Sequence, residues 1–242
     1  MANLLVEIGN TALKAAWSEG VTLGKTFRYQ GERKFDFIVS LTEKQKPEVM
    51  VVASVSGITA SEERKLRKAC CELLLLDSVH KDILKDHELP EYLSYDRAAA
   101  LVATRYLFKG KACTIVDLGT TMTVDYLSGD GVYEGGNISL GCITRFKALN
   151  RYSRTLPLLN TPENPPMVGM SVESSVEAGV ISGIMFEIQG YIAHKPENLV
   201  VFTGGDANYF AKNFKNSIFV VCNLVLMGLA LITVKYVEKK NR

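Results

Sequence analysis

Residues 113–125, CTIVDLGTTMTVD, join a β-branched apolar run to an acid, a glycine and several hydroxyl side chains. The pattern predicts a strand ending near Asp117, a tight turn at Gly119 and a second strand, because glycine bends the backbone without a Cβ clash. Amides of the turn and the Thr120 hydroxyl would then converge beside the Asp117 carboxylate. Such a turn can hold phosphate oxygens while the carboxylate holds a cation. A hairpin with Gly and Thr is also a common structural turn, so for this stretch alone both interpretations stay open.

The N-terminal stretch 4–17, LLVEIGNTALKAAW, repeats the same plan. Glu7 ends an apolar run, Gly9 and an Asn-Thr pair follow, and a second apolar strand carries Lys14, a point charge suited to an anion. Two copies far apart in the chain predict two related half-domains that face each other across a cleft, each with a phosphate-binding hairpin.

Strand and helix patterns alternate through the rest of the chain, which predicts an α/β fold with mixed β-sheets flanked by helices. We expect half-domains at 1–110 and 111–242. The predicted strands after the first hairpin are 21–29, 49–54, 73–76, 199–203 and 218–221. The predicted helices are 32–46, 61–73 with Ser61 as its N-cap, a helix opened by Asp96-Arg97, 144–152 and 172–192.

Composition excludes several classes of protein. The 242 residues are 47% hydrophobic and 22% charged with a net charge of +2, which fits a globular chain, and the scattered Lys and Arg predict no nucleic-acid partner. Five cysteines without a repeated CxxC spacing, and no export signal, predict reduced thiols and a cytoplasmic location. The apolar run 218–234 is short for a membrane span, and a buried strand followed by a helix capped by Asn223 explains it, so we expect no membrane partner.

Several polar residues admit a structural and a functional interpretation. Asp96-Arg97 at a helix start either favours the helix dipole or acts in catalysis. The Gly204-Gly205 pair permits close approach to a flat ligand or forms an ordinary turn, with Asp206 as the cap of the next helix. His80 and His87 have no nearby third ligand and predict no metal site. The proline-rich loop 155–168 is expected at the surface as a lid or an interface arm.

Five motifs in order resemble the type III pantothenate kinases, which have the actin-like ATPase (ribonuclease H-like) and sugar-kinase fold. They are EIGNTALK at 7–14, DR at 96–97, DLGTTMTVD at 117–125, EGGNISLG at 134–141 and TGGDA at 203–207. The resemblance implies ATP-dependent phosphorylation of pantothenate, the entry to coenzyme A synthesis. It further implies Mg2+, a monovalent cation (NH4+ or K+) and a homodimer with pantothenate near the subunit interface.

The resemblance also implies residue roles. Asp96 would accept the proton of the substrate hydroxyl, and Arg97 would hold the pantothenate carboxylate. Asp117 would bind the monovalent cation, and Glu7 would support Mg2+ through water. Substrate contacts would come from Ser94, Tyr95, Asp96, Arg97 and Val172. ATP contacts would come from Glu7, Ile8, Gly9, Asn10, Thr11, Ala12, Leu13, Lys14, Thr120, Gly204 and Gly205.

Four positions depart from the family pattern. Glu7 stands where Asp is usual, Ser94 where Gly is usual, His87 where Tyr is common, and Val172 where a substrate-contacting Thr is common. The departures leave an alternative, a catalytically weakened relative that acts as a nucleotide-binding regulatory protein. A third possibility is a kinase or phosphatase acting on another small substrate, but Arg97 suits a carboxylate-bearing one. We favour the pantothenate kinase, because base, carboxylate anchor and both hairpins are all retained.

Overall fold

The computed structural model describes residues 2–77, 82–214 and 217–241, with Asp82 described by its backbone alone. His80, one of the two histidines for which the sequence predicts no metal site, lies outside the described residues. The chain divides into two compact units. One runs to Leu107 and resumes at Asn223, and the other spans Phe108–Cys222.

The strands are β1 Ala2–Ile8, β2 Leu13–Glu19, β3 Thr22–Tyr29, β4 Val49–Ser54, β5 Glu72–Leu76, β6 Cys113–Leu118, β7 Thr121–Leu127, β8 Tyr133–Leu140, β9 Leu199–Thr203 and β10 Ile218–Val220. The helices are α1 Lys34–Ser40, α2 Ala60–Ala69, α3 Asp82–Asp86, α4 Tyr95–Leu107, α5 Cys142–Tyr152, α6 Val172–His194, α7 Ala207–Ala211 and α8 Leu224–Lys240.

Each unit contains one five-stranded mixed sheet, and the two sheets have the same topology. The strand orders are β3-β2-β1-β4-β5 and β8-β7-β6-β9-β10. In each, three antiparallel strands joined in sequence are extended by two parallel strands. The parallel strand β4 reads VMVVAS and is buried along its whole length, as expected for a strand covered on both faces. The predicted pair of related half-domains with mixed sheets is therefore confirmed.

The hydrophobic core of each unit lies between its sheet and its helices. In the first unit, side chains of β1, β2 and β4 pack with Ile38 of α1 and Leu66 of α2. In the second unit, α6 supplies Ile181, Ile184 and Ile188 to a core that also contains Phe146 of α5. These cores fix the ends of the central strands β1 and β6, where the predicted phosphate turns begin.

Two helices, α1 and α2, depart most from the sequence prediction, while α5 and α6 each differ from it by two residues at one end. The predicted helix 32–46 is reduced to α1, because residues 43–46 are polar and exposed and offer no apolar face to bury. The N-cap of α2 is Thr59 rather than Ser61. The Glu62 amide donates to Thr59 Oγ1 at 3.3 Å, and the Thr59 amide donates to Glu62 Oε2 at 2.8 Å. The glutamate three residues after Thr59 therefore makes Thr59 the N-cap.

Two expected caps lack their side-chain hydrogen bond. Asp206 and Asn223 occupy the N-cap positions of α7 and α8, but neither side chain caps its helix. The Asp206 amide instead donates to the Leu118 carbonyl oxygen at 3.0 Å. The strand and helix predicted in the apolar run 218–234 are present as β10 and α8. Among the residues that the structure describes, no helix combines the length and apolar composition needed to cross a bilayer.

The C-terminal helix α8 packs in the first unit, although the sequence-based division put it in the second half. The Tyr236 hydroxyl donates to Glu72 Oε1 at 2.7 Å, and Gly228 lies directly against the backbone of Ala99 in α4. A Cβ at Gly228 would overlap the Ala99 carbonyl. This close approach holds α4, whose first turn carries Asp96, against α8.

We expect Gly228→Ala to lower the free energy of unfolding by about 1–3 kcal/mol, because the added methyl forces α4 and α8 apart. Urea unfolding followed by circular dichroism measures the change. Gly190→Ala is the matched control, since Gly190 lies in α6 with open space around it and should gain up to about 1 kcal/mol from helix propensity. Equal behaviour of the two variants would contradict the packing argument.

The segment before α4 is held by cations from α8 and α4. Lys239 pairs with Asp86 at 2.8 Å, Lys235 donates to the Asp86 carbonyl oxygen, and Arg105 Nη1 donates to the His87 carbonyl oxygen at 2.6 Å. Burial lowers the pKa of His87 to about 4, with repulsion from Lys235 and Arg105 adding to it and Asp86 opposing it. His87 is therefore neutral at physiological pH.

We expect His87→Gln to reduce the acid sensitivity of the fold. The unfolded chain binds a proton at His87 near pH 6.5, whereas the folded chain binds it only near pH 4, so this histidine costs stability as the pH falls through that window. Melting temperatures between pH 7 and pH 4 should fall less steeply in the variant than in the wild type. Parallel curves would show that His87 ionises as readily in the folded chain as in the unfolded one.

Candidate active site

The turn between β1 and β2 has the geometry that its glycine predicts. Ile8 pairs with Leu13, which leaves a four-residue turn, and the Gly9 amide donates to the Ala12 carbonyl oxygen at 3.0 Å. A Cβ at Gly9 would stand 3.1 Å from that oxygen, so a larger residue would press on the turn. Ile8 and Leu13 are buried in the core, so only their backbone can face a ligand. Asn10 and Thr11 are exposed at the tip of the turn.

Glu7, Lys14 and Asp96 form a charged cluster at the base of this turn. Glu7 lies opposite Lys14 in the β1–β2 register, and Lys14 Nζ lies 3.5 Å from Glu7 Oε2. Burial raises the pKa of Glu7, the Lys14 charge lowers it, and the Asp96 charge raises it again. The Glu7 side chain is only 16% exposed, so its negative charge is costly without compensation.

Two oxygens of this cluster lack a hydrogen-bond donor. Within the described part of the chain, nothing donates to Glu7 Oε2 or to Asp96 Oδ1, and both atoms are buried. The lysine contact to Glu7 is therefore an ion pair without a well-aligned hydrogen bond. Buried carboxylate oxygens without donors fit a cation, a water shell or a hydroxyl proton.

The start of α4 carries the four predicted substrate residues of the first unit. Tyr95 and Arg97 are 5% and 7% exposed, and Ser94 is exposed. The Ala98 amide donates to the Ser94 carbonyl oxygen at 2.9 Å, which closes the first turn of the helix. The structure thus brings the first hairpin turn and Asp96 together within the first unit.

The second turn lies at the end of β6. Asp117 is flanked by Thr123 of β7 and Thr203 of β9 in the sheet register. The Gly119 amide donates to the Thr121 carbonyl oxygen at 3.1 Å. This turn is one residue shorter than the first, because Leu118 pairs with Met122 and leaves three residues between them.

Two further motifs pack on this second turn. Gly141 donates its amide to the Thr120 carbonyl oxygen at 3.1 Å, and a Cβ at Gly141 would overlap the Gly119 carbonyl. Gly204 has φ +92°, and a Cβ there would lie 2.5 Å from Asp117 Oδ1. The backbone of Gly204 therefore lies close to the Asp117 carboxylate. Gly205, by contrast, is exposed with open space around it.

Val172 is the first residue of α6 and belongs to the second unit. It follows Ser171, whose side chain accepts from the Ser174 amide in a capping box. Its side chain is 52% exposed and lines an apolar groove of about 900 Å3 together with Leu149 and Met170. Val172 therefore belongs to the second unit, whereas Ser94, Tyr95, Asp96 and Arg97 belong to the first.

Sequence reasoning missed two side chains that hold the turns. Lys34 Nζ donates to the Gly9 carbonyl oxygen at 3.1 Å, and Thr144 Oγ1 donates to the Thr120 carbonyl oxygen at 2.6 Å. Neither residue belongs to a motif, and the contacts depend on where α1 and α5 pack. Gly141, by contrast, is the last residue of the motif EGGNISLG at 134–141, so its contact with the second turn comes from within a continuous motif.

No three His, Cys, Asp or Glu side chains converge as metal ligands within the described ranges. A divalent ion in the first unit would therefore depend on water and phosphate oxygens in addition to carboxylate, as Mg2+ commonly does.

Solved structures share this fold at low sequence identity. A Campylobacter jejuni protein described as a Baf family transcriptional activator superposes with a TM-score of 0.63 at 21% identity, covering 99% of this chain and 100% of that chain. The activator of 2-hydroxyisocaproyl-CoA dehydratase from Clostridium difficile gives 0.61 at 12% identity, covering 100% and 97%. MreB5 of Spiroplasma citri gives 0.53 at 13% identity, covering 100% and 99%. The predicted actin-like ATPase fold is confirmed.

Sequence comparisons give the family. The model of the type III pantothenate kinase family matches residues 3–194. The type III pantothenate kinase of Bacteroides fragilis is 37% identical over 94% of this chain and 95% of its own length. That of Phocaeicola vulgatus is 35% identical over 94% of this chain and 96% of its own length. With a family model that covers most of its length and relatives that match it almost from end to end, the chain belongs to the type III pantothenate kinase family.

Proposed function

We propose that this protein transfers the γ-phosphoryl group of ATP to the primary hydroxyl of pantothenate, the first step of coenzyme A synthesis. The observation that carries the proposal is the buried Asp96 Oδ1, which has no donor among the described residues and belongs to the same cluster as Glu7 and Lys14 of the first turn. The reaction is inferred from the family to which the chain belongs, and Asp96 Oδ1 is the acceptor for the hydroxyl proton.

Phosphoryl transfer needs in-line positioning and neutralisation of charge more than a strong base. Asp96 accepts the proton as the pantothenate oxygen bonds to phosphorus and the bond to the ADP oxygen breaks. Its position at the start of α4, which packs on α8, fixes the carboxylate. A fixed acceptor lowers the entropy cost of aligning the hydroxyl.

The first turn binds the ATP phosphates through its backbone amides, the Thr11 hydroxyl and Lys14. Exposure of Asn10 and Thr11 at the tip of the turn supports this role. Lys14 is partly engaged by Glu7 and still presents a side chain that is 30% exposed. A lysine point charge beside backbone amides is a common way to hold phosphate.

A divalent cation fits the first unit. Glu7 Oε2 is buried and has no hydrogen-bond donor among the described residues, and burial raises the pKa of the Glu7 carboxyl. A bound Mg2+ with its waters would supply the missing contact and stabilise the charged form of the carboxyl. Glutamate in place of the usual aspartate brings the carboxylate one methylene further from the strand, where it can hold a water on the ion. When bound, Mg2+ neutralises the charge of the β- and γ-phosphates.

In the second unit, Asp117 binds a monovalent cation, NH4+ or K+. The turn carbonyl groups around it, and the absence of a side chain at Gly204, leave oxygen ligands close to the carboxylate. Thr120 and the Gly204-Gly205 turn contact the nucleotide. The Asp206 amide is bonded to Leu118, which gives this second turn a fixed shape.

Pantothenate is held by residues 94–97, with Arg97 on its carboxylate and Asp96 on its hydroxyl. Val172 contributes an apolar contact where a threonine is common in the family. Arg97 suits a carboxylate because its planar guanidinium can donate two parallel hydrogen bonds. The enzyme acts in the cytoplasm, where its five cysteines, all free in this structure, stay reduced.

A homodimer completes the proposal. The second unit exposes an apolar surface that includes Leu158 (59% exposed), Met167 (68%), Val168 (73%) and Met170 (94%). Large exposed apolar patches on soluble proteins commonly mark an interface. Burial of this surface by a second copy would remove it from water and bring the proline-rich segment 155–168 to the subunit boundary.

The reaction is tested by ADP release from ATP, Mg2+ and NH4+ with and without pantothenate. Asp96→Asn should lose pantothenate-dependent turnover by at least about 100-fold, because general-base catalysis is removed. Affinity for a non-hydrolysable ATP analogue should stay within about threefold, because Asn keeps the size of the side chain. ATP binding without any turnover in the wild type would instead support the regulatory alternative. An Asp96→Asn enzyme as active as the wild type would remove Asp96 from the mechanism.

Asp117→Ala should weaken activation by NH4+ and K+. We expect the concentration of K+ for half-maximal activity to rise at least about tenfold, because the carboxylate that would hold the ion is gone. Titration of the ADP-release rate with KCl and NH4Cl measures the shift. Asp130→Ala, in the turn between β7 and β8, is the control. An unchanged ion dependence in Asp117→Ala would move the monovalent site elsewhere.

A further inference from the structure

We propose that Lys34 is a positioning residue for the nucleotide-phosphate turn of the first unit. Its ammonium holds the Gly9 carbonyl, so that residues 9–12 keep the one turn conformation in which they bind phosphate. The inference rests on the proposed function only in taking this turn as the ATP site.

The contact fixes the peptide groups of the turn. Lys34 Nζ donates to the Gly9 carbonyl oxygen at 3.1 Å, and the Gly9 amide already donates to the Ala12 carbonyl oxygen at 3.0 Å. Both polar backbone groups of Gly9 are therefore engaged. Glycine is the residue whose backbone is otherwise freest to rotate, so this is where a restraint has most effect. A turn held in its binding conformation binds phosphate without a further ordering cost.

The placement of Lys34 is unfavourable for the helix that carries it. It is the first residue of α1, where the helix dipole disfavours a cation. No described carboxylate forms an ion pair with it. The first-turn acid Asp36 is instead bonded to Arg33, at 2.6 Å, and to Lys65. A charge that breaks a local rule without a local partner is expected where function requires it.

The second unit has the corresponding contact. Thr144 Oγ1 of α5 donates to the Thr120 carbonyl oxygen at 2.6 Å. Both α1 and α5 follow the third strand of their sheets, so the same element of each repeat supplies a side chain that holds a turn carbonyl. Two units with the same topology thus restrain their turns in the same way.

The first contact is made by a charged side chain and the second by a neutral one, and this difference suits the ligands proposed for the two turns. The first turn faces the polyanionic triphosphate, and a lysine there both holds the carbonyl and adds positive charge. The second turn lies beside Asp117, the proposed monovalent-cation ligand. An ammonium in place of the Thr144 hydroxyl would compete with that cation.

The test compares Lys34→Met, which removes the donor, with Lys34→Gln and Lys34→Arg, which keep one. Binding of AMPPNP with Mg2+, without pantothenate, is measured by calorimetry. Lys34→Met should weaken AMPPNP about tenfold or more, the loss expected for one charge-assisted hydrogen bond. Lys34→Arg should stay within about threefold of the wild type. Lys34→Gln should lie near the arginine variant if the hydrogen bond dominates, and near the methionine variant if the charge does.

Lys44→Met is the matched control, because Lys44 is an exposed lysine of the same unit without a described polar contact. It should leave AMPPNP affinity unchanged. In turnover assays, Lys34→Met should raise the KM for ATP about tenfold and leave the KM for pantothenate unchanged. A purely structural role would lower the melting temperature of the free protein without this selectivity.

AMPPNP affinity of Lys34→Met within about twofold of the wild type and of Lys44→Met would overturn the inference. Should Lys34→Met fail to fold, Lys34→Ala, which also lacks the donor, takes its place, and AMPPNP affinity within about twofold of the wild type together with an unchanged KM for ATP would overturn the inference. A wild type that binds AMPPNP but does not phosphorylate pantothenate refutes the proposed function alone, since the Lys34 comparison needs no second substrate.

Discussion

A partly buried acidic residue near the end of a central strand, Glu7 in one unit and Asp117 in the other, determines the chemistry of each half of this chain. β1 and β6 are the middle strands of their sheets, and each carries its acid just before a glycine turn. Removing such a charge from water is unfavourable unless a cation or hydrogen bonds compensate it. In the first unit the ion pair with Lys14 compensates only in part, and the raised pKa of Glu7 records the remaining cost. A cation bound at Glu7 would offset the part of this cost that Lys14 leaves uncompensated.

The repeated topology carries two different sites. The residue opposite the acid is Lys14 on β2 but Thr123 on β7, and the first turn is one residue longer. The first unit therefore offers an ammonium and exposed turn residues, which suit an anion. The second offers hydroxyls and carbonyls packed around a carboxylate, which suit a cation. One fold, used twice, has been specialised by the side chain that faces the acid.

The strands, the hairpins and the long helix α6 were predictable because period, apolar runs and glycine positions determine them locally. The start of α4 was predictable for the same reason. The length of α1 was not, since residues 43–46 could form a helix but have nothing to pack against. The sequence also did not show that α8 belongs to the first unit. That placement depends on the contact of Gly228 with the backbone of Ala99, two residues in distant parts of the chain.

The site was predictable where a motif is continuous and obscure where it depends on packing. Gly9 and Asp117 stand out in the sequence, and their turns have the expected form. Lys34 and Thr144 do not stand out, because each reaches its turn from a separate helix.

We propose above all that the turn after β1 holds the nucleotide phosphates. A crystal structure of the protein with AMPPNP and Mg2+ tests it most directly. We expect phosphate oxygens within hydrogen-bonding distance of the amides of residues 9–12 and of the Lys14 ammonium, with a Mg2+-bound water on Glu7. Phosphates bound away from this turn, with residues 9–12 and Glu7 unchanged and making no contact with ligand, would contradict it.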